Sequence, residues 1–156
     1  MKKIISILVS VLFMSCMSDK NNITGALYFK MINATPVNGM TKTQISKFEK
    51  MLDSLKLIKN KDANSKEILS YYEKLKKHKL LSCPFITLEL NDSEKLGVFL
   101  SIKEYEKVKH FTHNDLNSRG KKVILELELK ELDNKIYYSD KIIKLKETDG
   151  ETHWGK

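Results

Sequence analysis

Two imidazoles and a carboxylate stand close together in the run His110-Phe111-Thr112-His113-Asn114-Asp115. Neutral imidazole and carboxylate oxygen are common ligands of zinc and related metals. His110, His113 and Asp115 therefore form a candidate metal-binding or hydrolytic loop, with His153 as a further ligand from the tail. Spacing alone does not make ligands converge, and the chain has no His-Glu-x-x-His and no Cys-x-x-Cys. The same stretch carries Asn114, Asn117, Ser118 and Arg119. Polar loops on a rigid scaffold are where contact residues gather, so the loop is also a candidate binding surface. The simplest account of it is a solvated connector.

Other reactive groups are sparse. Cys83 lies in Leu81-Ser82-Cys83-Pro84-Phe85 and reads as a small buried hydrophobe, because an activated thiol needs a base or an electropositive setting. There is no Gly-x-Ser-x-Gly, and the six glycines are scattered singly, with no phosphate-cradling loop. Trp154 is the one tryptophan, near the end of the chain. Tryptophan is enriched in binding hot spots, so Trp154 is a candidate interaction residue, although packing back onto the fold is the preferred reading. Tyr71-Tyr72 and Tyr137-Tyr138 are adjacent aromatic pairs. In each pair one ring faces inward and the other faces out or to an edge. Such rings can line a groove, but the rim of a core is the preferred reading.

Cys16 invites a different chemistry. Lys2 and Lys3 precede Ile4–Met14, which is apolar except for Ser6 and Ser10. At about 11 residues this stretch has the length of a signal-peptide core and cannot span a ~30 Å hydrocarbon layer as a helix. Phe13-Met14-Ser15-Cys16 follows, with a small residue directly before the cysteine. The segment resembles the lipobox of bacterial lipoproteins, although Phe13 and Met14 stand where leucine and a small residue are usual. The resemblance covers residues 1–16 only. It implies cleavage before Cys16 by signal peptidase II and a lipid joined through the Cys16 thioether, with acyl chains such as palmitate holding the protein at a membrane of the bacterial cell envelope. Met17 occupies the place of the aspartate tied to inner-membrane retention in some bacteria, which favours the outer membrane.

Removal of residues 1–15 takes the chain from 156 to 141 residues and the formal charge from +8 to +6, since Lys2 and Lys3 leave. That length suits one domain able to bury roughly two-thirds of its unfolded surface. With Cys16 lipidated, Cys83 is the only remaining thiol, so no internal disulfide forms. The basic excess is lysine; Arg119 is the sole arginine. Readers of bases rely on bidentate arginine, so an exported lysine-rich chain argues against nucleic acid as a partner.

The elements that must position these groups follow from periodicity. Residues 16–23 read as the lipidated cysteine and a polar tether, and 24–156 as one domain. Gly25–Ile32 is the first predicted strand, and Asn33–Gly39 a loop. Thr41 to about Lys59 is the clearest helix: Thr41 and Gln44 form a capping box, and Ile45, Phe48, Leu52, Leu55 and Ile58 share a face. Ser65 to about Lys79 is a second helix, close enough to form a hairpin with the first. From Cys83 the period becomes two. Ile86, Leu88 and Leu90 face inward, then Leu96, Val98, Leu100 and Ile102 after a turn at Asn91–Glu94. Glu104–His110 suits a short helix. Lys121–Leu132 alternates cleanly, Asp133-Asn134 suits a tight turn, and Lys135–Lys146 returns as a partner strand.

The order β-α-α-β-β-(α)-β-β predicts an α+β fold. Its expected form is a two-layer sandwich, an antiparallel sheet of about five strands with two helices on one face. The expected function is a membrane-anchored envelope lipoprotein, a non-enzymatic module that binds a protein or an envelope component and carries no cofactor beyond its lipid. Three alternatives are an immunity or inhibitor lipoprotein, a metal-binding protein or hydrolase built on the His110/His113/Asp115 loop, and an assembly lipoprotein.

Overall fold

In the computed structural model, residues 21–28, 37–58, 62–112 and 121–149 are described. The chain forms β1 (Asn21–Tyr28), α1 (Lys42–Leu57), α2 (Ala63–Lys77), β2 (Phe85–Glu89), β3 (Lys95–Leu100), α3 (Ile102–Tyr105), β4 (Lys121–Asp133), β5 (Ile136–Ser139) and β6 (Ile142–Asp149). The α+β class is as expected. The sandwich is not: the sheet closes on itself. Its order is β1-β2-β3-β5-β4-β6, and β1 also pairs with β4. Asn21–Ala26 run antiparallel to Leu129–Ile124, while Ala26–Tyr28 pair with Glu89–Thr87. β1 thus bridges the two halves of the sheet and completes a five-stranded barrel. β6 follows β5 along β4, pairing with residues 121–127 while β5 pairs with 130–133. Not every pairing is antiparallel either, because β3 and β5 run parallel, with Val98 opposite Tyr137. A helix, α3, lies in the connection between β3 and β4. α1 and α2 are set into the connection between β1 and β2.

The alternating residues read as inward-facing do fill the barrel. Ile86, Leu88, Val98, Leu100, Val123, Leu125 and Leu127 are buried there, joined by Leu27, Val108 and Phe111. Each such side chain contributes about 1.5–3 kcal/mol on leaving water. Alternation fixes which face of a strand turns inward but not which edges meet, so a barrel and a flat sheet look alike in sequence. Ile102 departs from the pattern. It is 63% exposed because β3 ends at Leu100 and Ser101 caps α3, its hydroxyl accepting from the Glu104 N–H at 3.2 Å.

β1 begins at Asn21, before the predicted Gly25, and so takes in residues read as tether. α1 and α2 match their predicted spans closely. The Thr41 hydroxyl accepts from the Gln44 N–H, and Gln44 Oε1 accepts from the Thr41 N–H at 2.8 Å. Asp62 caps α2 by accepting from the Ser65 N–H at 2.7 Å. The helices form a hairpin that lies on the outer face of β2, β3 and β5. Leu75, Leu80, Leu81, Phe85, Phe99 and Ile136 are buried between them as a second core, edged by Phe48, Tyr72 and Tyr138. Phe48 meets Tyr72 edge-on with centroids 4.6 Å apart. Lys56–Glu73 and Lys76–Glu49 pairs cross the hairpin at 3.0 and 3.1 Å, on exposed side chains where such pairs contribute little.

Candidate functional site

β3 and β5 are paired only from Val98 and Tyr137 onward. Ahead of that point the start of β3 diverges from the β4–β5 turn, and a notch opens beside α2. Its lining is Tyr71, Phe85, Glu94, Lys95, Leu96, Gly97, Phe99, Lys135 and Tyr137, around a cleft of about 480 Å³. That volume lies within the range of small-molecule sites. The cleft is apolar inside and charged at the lip.

Each wall has a local cause. Phe85 and Phe99 lie on the outward face of neighbouring strands and stack edge-on at 5.0 Å. Gly97, opposite Thr87 on the next strand, leaves room for the Phe85 ring, since a Cβ there would stand 2.5 Å from Phe85 Cζ. The β2–β3 turn is fixed by Asn91, whose Oδ1 accepts from the N–H groups of Ser93 and Glu94 and whose Nδ2 donates to Glu94 Oε2 at 3.2 Å. Lys95 is held as well: its ammonium lies 3.8 Å from the centroid of the Tyr28 ring and 3.7 Å from Glu89.

The opposite lip is the β4–β5 turn, whose central residues are Asn134 and Lys135. The expected turn at Asp133-Asn134 is displaced by one residue, and the positive φ falls on Lys135, at 61°. α2 pins this turn. Lys74 Nζ lies 3.1 Å from Asp133 Oδ1, and that hydrogen bond, with the N–H of Asn134, holds the Asp133 carboxyl below the usual aspartate range. The Nε2 of His78 is buried nearby, 3.7 Å from Asp133 Oδ2, beyond hydrogen-bond reach. The Lys135 N–H donates to Glu131 at 3.2 Å, but among the described residues its ammonium makes no ion pair.

Tyr71, Tyr72 and Tyr138 all pack at the edge of the second core, and Tyr71 also lines the cleft with Tyr137. Burial pushes the hydroxyls of Tyr72 and Tyr138 up, as expected for rings set into that core. Cys83 is half-buried against the same core, and burial pushes its thiol up, away from the thiolate that a nucleophile needs.

Of the sequence-predicted loop, His110 is described, and it does not line the cleft. His110 is exposed, its ring stacked at 3.9 Å on Phe111. His113, Asp115 and Arg119 lie outside the described residues, as do Cys16, His153 and Trp154. Among the described residues no three His, Cys, Asp or Glu side chains gather as a metal site. Sequence reasoning missed Lys135, Gly97 and the outward phenylalanines. One signal for the last was present: aromatic residues at the solvent-facing positions of alternating strands demand a cover. No family model matches the chain, and neither a curated protein nor a solved structure is similar to it.

Proposed function

We propose that this chain is a lipid-anchored lipoprotein of the bacterial envelope, and that it acts as a binding module through the cleft between β3, the β4–β5 turn and α2. The cleft carries the reading. Four aromatic rings line a small-molecule-sized notch whose two lips are fixed by hydrogen bonds rather than left to loose loops. Sites held on rigid elements are the ones that bind. The fold itself assigns no ligand, because one barrel architecture carries many unrelated functions. The anchor rests on the Lys2-Lys3 region, the apolar stretch and Ser15-Cys16. The outer membrane is the favoured location, and nucleic acid is the disfavoured partner. β1 begins five residues after Cys16, which places the barrel within about 18 Å of the lipid at ~3.5 Å per extended residue.

Two measurements test this reading. Cys16→Ser removes the only atom that can carry the thioether, so the variant should lose its lipid by mass spectrometry and leave the membrane fraction. A Cys16→Ser protein that sediments with membranes as the parent does would overturn the anchor. The binding role is tested with the lipidated protein in mild detergent, by affinity capture from envelope extract and small-molecule screening. Recovery of no partner and no ligand would overturn it.

A further inference from the structure

We infer that the cleft takes a small ring-bearing monoanion, one face of its ring against the tyrosine and phenylalanine walls and its carboxylate on the Lys135 ammonium. This rests on the binding-module reading and names the chemistry of its ligand. Three charged groups stand at the lip, and two are already engaged. Lys95 is shared between the Tyr28 ring and Glu89, and Glu94 accepts from Asn91. That leaves Lys135, one of the residues lining the cleft, as the lip cation without a carboxylate partner among the described residues. Glu94 sits at the same lip and limits the ligand to one negative group, because a second would meet like charge.

The backbone supplies an independent argument. Lys135 adopts φ 61° at a turn position that glycine or asparagine fills at less cost. A lysine there costs stability and has no ion pair among the described residues to offset it. Strain of this kind persists where a side chain is needed at one place. Lys79 also has positive φ, but it ends α2 with its N–H donating to the Lys76 carbonyl and is no part of the cleft.

The volume admits one or two rings, and ring-bearing anions come from two sources: an aromatic acid or an acidic sugar. The probes are therefore phenylacetate and glucuronate, each against its neutral counterpart, phenylacetamide and glucose. Binding is read by calorimetry and by NMR shifts of the cleft residues in the lipidated protein in detergent. At least one anion should bind roughly tenfold or more tightly than its neutral partner, the weight of one charge-assisted hydrogen bond. Phenylacetate as the tighter ligand assigns the aromatic source, glucuronate the sugar. Lys135→Gly should weaken anion binding by a similar factor and raise the melting temperature, because it removes the ammonium and the strain together. Lys135→Arg should keep both the binding and the strain. Equal binding of neutral and anionic probes, or a Lys135→Gly protein that binds as the parent does, overturns the inference. If neither anion binds but a stoichiometric envelope partner is captured, the inference falls and the binding-module reading stands. If nothing binds at all, both fall.

Discussion

Glu104 is a buried charge that ties α3 to the start of β6. Its side chain is 5% exposed and accepts from Lys107 Nζ and from the Ile142 N–H, each at 2.7 Å. The second bond reaches across 38 residues to the first residue of β6, next to the register shift in the β4–β6 ladder. Burial by itself pushes the carboxyl up; the Lys107 hydrogen bond, the Ile142 N–H and the charges of Lys107 and Lys103 outweigh it and hold Glu104 below its ordinary 4.5. A carboxyl depressed in the folded state stabilises at pH above 4.5, and that contribution is lost as pH falls through the lower folded value. Glu104→Gln should cost roughly 1.5–3 kcal/mol at neutral pH. Its urea midpoint should also vary less with pH than the parent's between neutrality and pH 4. Parallel pH profiles for the two proteins would show that Glu104 is not the acid-sensitive link.

At the scale of elements, the helices were legible because their ends carry local chemistry. Thr41 and Gln44 announce α1, and the structure forms both reciprocal bonds. Thr41→Ala should therefore cost about 1 kcal/mol in chemical denaturation, and Thr41→Ser should recover most of it. No loss in the alanine variant would mean that packing alone sets the helix start. The strands were legible as strands, down to the inward faces of β2 and β4. What failed was pairing. Nothing in Asn21–Tyr28 states that one strand serves two neighbours, because pairing is decided by residues far away in sequence. The long return strand was split into β5 and β6 by a turn at Asp140 and Lys141, where Ser139 Oγ donates to the Lys141 carbonyl at 3.1 Å. The cleft was half legible. The two adjacent tyrosine pairs admitted a groove but read first as core edge, and Lys135 gave no signal, since a positive φ on lysine has no signature in composition.

For the whole molecule, β4 is the hub. It pairs with β1 on one side and with β5 and β6 on the other, and Val123, Leu125 and Leu127 are fully buried. Hydrogen exchange should be slowest at the amides of 124–127, flanked by strands on both edges, and faster in α1 and α2, which rest on one face only. The opposite ranking would mean that the hairpin, not the barrel, is the stable unit. The hairpin also decides what the barrel presents to its surroundings. It covers Phe85, Phe99 and Ile136, so the outer face of β2, β3 and β5 is occupied up to the notch at its margin.

The double duty of β1 carries a consequence in time. Asn21 meets Leu129, and Ala26 meets both Ile124 and Glu89. A chain emerging N-terminus first therefore presents its earliest strand long before the strands that will hold it. Ring closure of this span is entropically slow, and an unsatisfied strand is a template for other chains. The waiting strand is the one nearest Cys16, where a lipid would confine it to a surface while β4 is still being threaded. The seam of the barrel joins the first strand to the fourth, and in the proposed lipoprotein that first strand is also the one beside the anchor.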